Sequence, residues 1–200
     1  TFVRRRGYGA ADAQDLTQEF FIHLLETEAL AKVDPKRGRF RTFLLAALKN
    51  FLANAHERRT ALKRGGAFEF LPLDDVLAET EAAVQLDGGV PGEEDRQFEE
   101  RWAAALVSRA LEQLRAALAR EGKEQLYEEL QVFVTGAGPL PDQAATAARL
   151  GLPFATLRTH IRRLRERYRE ILRAEVARTV ATPAEIDQEL RHLCETLASK

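Results

Sequence analysis

Asp12, Asp15 and Glu19 are the first residues whose types and spacing could do chemistry. Counted from Leu16 at about 100° per residue, they and Glu26 fall within about 60° of one another, one acidic stripe on a helix read from Ala10 to Leu30. Carboxylates grouped this way could ligate a divalent metal or pass protons, which defines a helical metal hydrolase as one reading. Such a site wants His partners or a second carboxylate helix, and the sequence offers neither. The same stripe also reads as a solvated face or, more sharply, as a docking surface for a basic partner. His56-Glu57-Arg58-Arg59-Thr60 opens like the zinc-protease H-E-x-x-H motif, but Thr60 stands where the second His must be. His192 and Cys194 lack further ligands nearby. Neither a phosphate-binding Gly-rich loop with its Lys nor a Ser nucleophile elbow occurs. The sequence is therefore read as a non-enzyme with no catalytic residues, no metal and no cofactor.

The second kind of chemistry is cationic. Arg158, Thr159, Arg162 and Arg163 stand in the N-terminal half of a long basic stretch, FATLRTHIRRLRERYREILRAEVARTV. They are residue types that donate to phosphates and to guanine edges in a major groove. A second basic group begins in the turn Asp34-Pro35-Lys36-Arg37-Gly38 and runs into a helix holding Lys49, Asn50, Ala53 and His56 on one side. Hydrogen-bonding groups and a cation beside a small residue leave room for a flat ligand to approach. A solvated face is the alternative for each group.

The elements that must position these groups are helices. Ala, Leu, Arg and Glu dominate, and apolar residues recur at helical spacing, so an almost entirely helical protein is expected. From Arg37 to Arg59, Phe40, Phe43, Leu44, Ala47, Leu48, Phe51, Leu52 and Ala55 make one wide core-facing stripe. On the helix before it, Leu16, Phe20, Phe21, Leu24 and Leu25 cover the side opposite the carboxylates. TFVRRRGYG, at the start, reads as the tail of an element that begins outside the sequence. Charge is segregated: Lys36 to Arg64 holds nine cations against Glu57, a net of +8. Glu69 to Glu100 holds eleven acids against Arg96, a net of −10, and Thr156 to Arg178 holds eight arginines against three acids, a net of +5. The total of −1 hides this basic, acidic, basic plan.

The acidic stretch, with Pro72, Gly88-Gly89, Pro91 and Gly92, reads as a tether. Beyond it, Trp102, Leu106, Val107, Ala110, Leu111, Leu114 and Leu118 form an apolar face that ends at Gly122. A shorter helix follows, closed by Gly136 and Gly138. PDQAATAARL then stops at Gly151, and a longer basic helix begins after Leu152-Pro153, the helix-turn-helix order. Ala145, Ala148, Leu150 and Leu152 are expected to pack on Leu157, Ile161 and Leu164. The domains are thus 1–66, an acidic linker 67–97, a helix-turn-helix domain 98–180 and a helical tail 181–200. A lone cysteine excludes an intramolecular disulfide, and no apolar run reaches the roughly 20 residues of a membrane span, so the cytoplasm is the default compartment.

In this order the parts resemble a bacterial RNA polymerase sigma factor of the extracytoplasmic-function type. ADAQDLTQEFF is similar to the family's core-binding helix of region two, and FRTFLLAALKN to the segment that follows it and reads the promoter minus-ten element. AATAARLGLPFATLRTHIRRLRERYRE is similar to the region four helix-turn-helix that reads the minus-thirty-five element. The resemblance implies that Asp12, Asp15, Gln18 and Glu19 contact core polymerase. It makes the basic turn from Lys36 to Arg41 (Lys36, Arg37, Arg39, Arg41), with Lys49 and Asn50, the minus-ten surface. Arg158, Thr159 and Arg163 become base readers, and Arg162 a phosphate contact. Core polymerase and promoter DNA are the implied partners, with room for an anti-sigma protein or another regulator. Phe43 stands where the family usually has Trp, Asn54 where Asp is common and Glu57 where a basic residue is usual, and Pro153-Phe154 occupy a turn where small polar residues are commoner. A free-standing helix-turn-helix regulator, which would bind DNA without polymerase and dimerise, is the alternative.

Overall fold

The computed structural model describes residues 2–26, 40–63, 92–136 and 138–198, with the side chains of 61–63 excepted. The chain divides into two compact units, Thr1–Trp102 with Thr179–Lys200, and Ala103–Arg178. Eight helices and one short 3-10 turn make up the described residues, among which there is no strand. The fold is all-α, as the composition and periodicity predict.

The first unit contains α1 (Phe2–Arg5), α2 (Ala10–Glu26), α3 (Phe40–Lys63), the first turns of α4 (Glu93–Arg120), the 3-10 turn Pro183–Glu185 and α8 (Ile186–Ala198). Leu16, Phe20 and Leu24 recur every four residues on α2 and bury against Phe43, Ala47, Leu48, Phe51, Leu52 and Ala55 of α3. The Phe20 and Phe51 rings meet edge to face, 5.6 Å between centroids, an arrangement the ring quadrupoles favour. Val3 and Ala13 complete this core, with Phe2, Tyr8, Phe40 and Leu44 at its margin. Phe98 and Trp102 join the same unit: Trp102 lies 6.0 Å from Phe40 and 6.5 Å from Phe98, and Phe98 lies 6.2 Å from Phe2. The sequence pattern puts Trp102 and its neighbours in the second domain, yet their aromatic partners are in the first.

The second unit contains the rest of α4 with α5 (Glu124–Thr135), α6 (Gln143–Arg149) and α7 (Phe154–Ala177). Its core joins Leu114 and Leu118 to Tyr127, Leu130, Phe133, Ala147, Leu157, Ile161 and Leu164. Local signals set the helix ends. Gly136 takes a left-handed conformation and closes α5 through its N–H to Val132 O. The Asp142 carboxylate accepts the Ala145 N–H at 2.7 Å and so caps α6. The α6–α7 turn needs Gly151 at φ +64°, a conformation other residues reach only with strain, and there Leu152 N–H donates to Ala147 O at 2.9 Å. Glu175 is buried on α7 and accepts from Gln113 at 2.7 Å, Arg109 at 2.8 Å and Arg178 at 2.8 Å, which ties α4 to α7 within the unit.

The packing of α6 is shifted by about one residue from the expected face. Thr146 and Ala147 are buried while Ala145 and Ala148 are exposed. Thr146 can go inside because its hydroxyl donates to Asp142 O at 2.8 Å, leaving no unmet donor.

Candidate functional site

On α2 the four residues expected to dock a partner, Asp12, Asp15, Gln18 and Glu19, are all exposed. Two of the carboxylates meet arginines of α3: Arg59 lies 3.3 Å from Asp12, and Arg58 lies 3.4 Å from Glu19. Arg59 also sits over the Tyr8 ring, 5.3 Å from its centroid. These pairs are solvent-exposed, so each contributes at most about 1 kcal/mol and leaves its carboxylate available to a partner. The metal-hydrolase reading fares differently, since Asp12 and Glu19 face guanidinium groups rather than further ligands. Among the described residues no group of three or more His, Cys, Asp or Glu is placed to hold a metal ion.

The same helix carries apolar residues on its open side. Phe21 is 48% exposed, Ile22 53% and Leu25 67%, although the projection of α2 assigns Phe21 and Leu25 to the buried half. The core takes only the narrow line Ala13, Leu16, Phe20, Leu24. Asp15, Gln18, Ile22 and Leu25 fall at i, i+3, i+7 and i+10, so polar and apolar groups share one exposed stripe. The spacing is visible in the sequence; which arc of the helix the core takes is not.

Lys36, Arg37 and Arg39 lie outside the described residues. Asn50 is half-buried, and Lys49 meets Asp95 of α4, Nζ to Oδ1 2.7 Å. Arg41 departs from the expected open face. It is 5% exposed, with Nη1 donating to Glu189 of α8 at 2.8 Å and Nε 3.1 Å from Glu99 of α4. The physical reason is that the buried arc of α3 is wider than the apolar stripe, for Arg41 and Leu45 are covered as well.

On α7, Arg158, Arg162 and Arg163 are exposed as expected. Thr159 is half-buried, and its hydroxyl donates to Ala155 O at 2.9 Å. Arg158 and Arg162 line an open groove of about 640 Å³, joined by Arg165 and Arg169. These four recur at i, i+4, i+7 and i+11, a row of guanidinium groups along one face, and Arg165 and Arg169 are the members that residue-type reasoning passed over. Arg165 also donates from Nε to Phe133 O at 2.8 Å, closing the C-terminal end of α5. Arg162 is held only loosely, 3.8 Å from Glu166. Arg163 borders a smaller depression with Lys123, His160 and Arg167. There Glu121, hydrogen-bonded to Lys123 and Arg167, has its carboxyl held below the usual range.

With these surfaces placed, the comparison with known families bears on part of the first unit. Residues 1–61 match the family model of Sigma-70 region 2. That segment holds α1, α2 and nearly all of α3, the elements that present the exposed α2 stripe and the Lys49 side of α3. The region 2 match supports a sigma factor role in promoter recognition. It covers less than half of the chain, and α4 to α8 lie beyond it. No curated protein and no solved structure matches the chain. Among the described residues no helix is long and apolar enough to cross a membrane.

Proposed function

We propose that this chain is a sigma factor of the extracytoplasmic-function type, bringing bacterial core RNA polymerase to promoters from the cytoplasm. The observation that carries the reading is the region 2 match over the same helices that leave Asp15, Gln18, Ile22 and Leu25 exposed in one stripe. In this reading Asp12, Asp15, Gln18 and Glu19 dock on the polymerase, with Phe21, Ile22 and Leu25 supplying apolar contact. The basic turn Lys36, Arg37 and Arg39, with Arg41, Lys49 and Asn50, serves the minus-ten element. The second unit acts as region four, a helix-turn-helix made of α6 and α7. Its Arg158, Thr159 and Arg163 read bases of the minus-thirty-five element and Arg162 holds phosphate. Every bond-making step belongs to the polymerase.

The test is co-elution of the full-length protein with bacterial core RNA polymerase, beside the double variant Asp15→Arg with Glu19→Arg. The wild type is expected to co-elute and the charge reversal to abolish it. A wild type that shifts duplex DNA alone and never binds core polymerase overturns the proposal in favour of a free-standing regulator, a reading that the arginine row on α7 would satisfy by itself.

A further inference from the structure

The inner face of α8 is built around an acid. Ile186, Glu189 and Leu193 lie at i, i+3 and i+7, all buried, with Glu189 only 3% exposed. Its carboxylate accepts from Arg41 at 2.8 Å. Arg41 also faces Glu99, which in turn pairs with His192 of α8, Nε2 to Oε2 2.7 Å. Two turns further along α3, Lys49 meets Asp95, one turn before Glu99 on α4. Two cations of α3 are thus met by three carboxylates from elements distant in sequence, all within the first unit. Stability alone does not ask for this arrangement. A buried ion pair spends much of its attraction on desolvating both partners, and apolar residues of similar size commonly hold as well or better. A charged cover has a different property: a polyanion that offers phosphates to the same cations can replace it.

We propose that α8 and the first turns of α4 form an internal acidic cover over Arg41 and Lys49, occupying cations of the nucleic-acid face until DNA displaces them. The inference rests on the assignment of that face to DNA under the proposed function. The acids act as a stand-in for phosphate, and the cover makes free-chain DNA binding weak while leaving the α2 stripe open to polymerase.

The experiment uses the full chain and a mixed-sequence single-stranded oligonucleotide, with affinity measured over a range of salt. Each phosphate neutralised contributes about 0.7 to the slope of log affinity against log salt on single strands. Glu99→Gln with Glu189→Gln is expected to steepen the slope by about 0.7, and adding Asp95→Asn by about as much again, as the acids facing Arg41 and then Lys49 are neutralised. Placing Arg41→Gln in the first double variant removes its gain. The charge-matched control Glu112→Gln with Glu170→Gln, on exposed acids of the other unit, leaves the slope unchanged. Hydrogen exchange in the wild type gives a second readout that needs no variant: saturating oligonucleotide lowers protection across residues 186–198. An unchanged slope in folded variants, a gain that survives Arg41→Gln, or unaltered protection of 186–198 overturns the cover. Co-elution with core polymerase, run on the same preparations, separates the two ideas. Retained co-elution with an unchanged slope sinks the cover alone; a steepened slope without any co-elution keeps the cover and sinks the sigma assignment.

Discussion

Replacing Ile22 and Leu25 together with serine tests whether the apolar stripe on α2 is a docking face. Full burial of an Ile or Leu side chain is worth about 1.5–3 kcal/mol. About half of Ile22 and two thirds of Leu25 stand uncovered in the chain, so covering both on a partner contributes about 2–3 kcal/mol. At 1.4 kcal/mol per factor of ten, the double variant should bind core polymerase about 30-fold to 150-fold more weakly. Because both side chains are exposed, thermal stability should change by no more than about 0.5 kcal/mol. Competition for core polymerase against labelled wild type measures the first quantity, and a melt followed by circular dichroism measures the second. Affinity within threefold of wild type would refute the reasoning. A large drop in stability would refute it too, since it would place these side chains in the core.

Three further outcomes follow from the geometry. Phe51→Ala removes a ring that is buried against Phe20, and it should cost the first unit about 3–5 kcal/mol, read as reduced hydrogen-exchange protection in α2 and α3 while α5 to α7 are unaffected. Arg158→Ala with Arg162→Ala should lower the salt slope of duplex binding by about 0.9 for each phosphate no longer neutralised, without moving the melting temperature by more than a degree or two, since both side chains are exposed. Tyr127 makes the second unit sensitive to alkali: burial raises its hydroxyl above the ordinary value of 10.0. The folded chain therefore holds that proton more tightly than the unfolded one. Its stabilising contribution is complete below pH 10 and falls away as the pH rises through the folded value. Tyr127→Phe should flatten that alkaline decline in a pH series of chemical melts, and an unchanged alkaline limb would count against it.

Much of this protein is settled by the sequence alone. Leu16, Phe20 and Leu24 at four-residue spacing, and the apolar stripe of α3, specify two helices with complementary faces because side chains 3.6 residues per turn apart line up on one side. Asp142 before an alanine-rich run and Gly151 after it fix the ends of α6 through the backbone donors and acceptors that every helix leaves unpaired. The row of arginines on α7 is exposed because such a charged face finds no apolar surface to bury against. Periodicity gives an angle around a helix axis, but it does not say how wide an arc a remote element will cover. Only the tertiary structure decided that Phe21 and Leu25 would stay outside the core and that Thr146 would go in. Arg41 shows the limit most plainly. Its place beside the basic turn reads as an open cation, and what buries it is Glu189, 148 residues away, a pairing that no local pattern encodes.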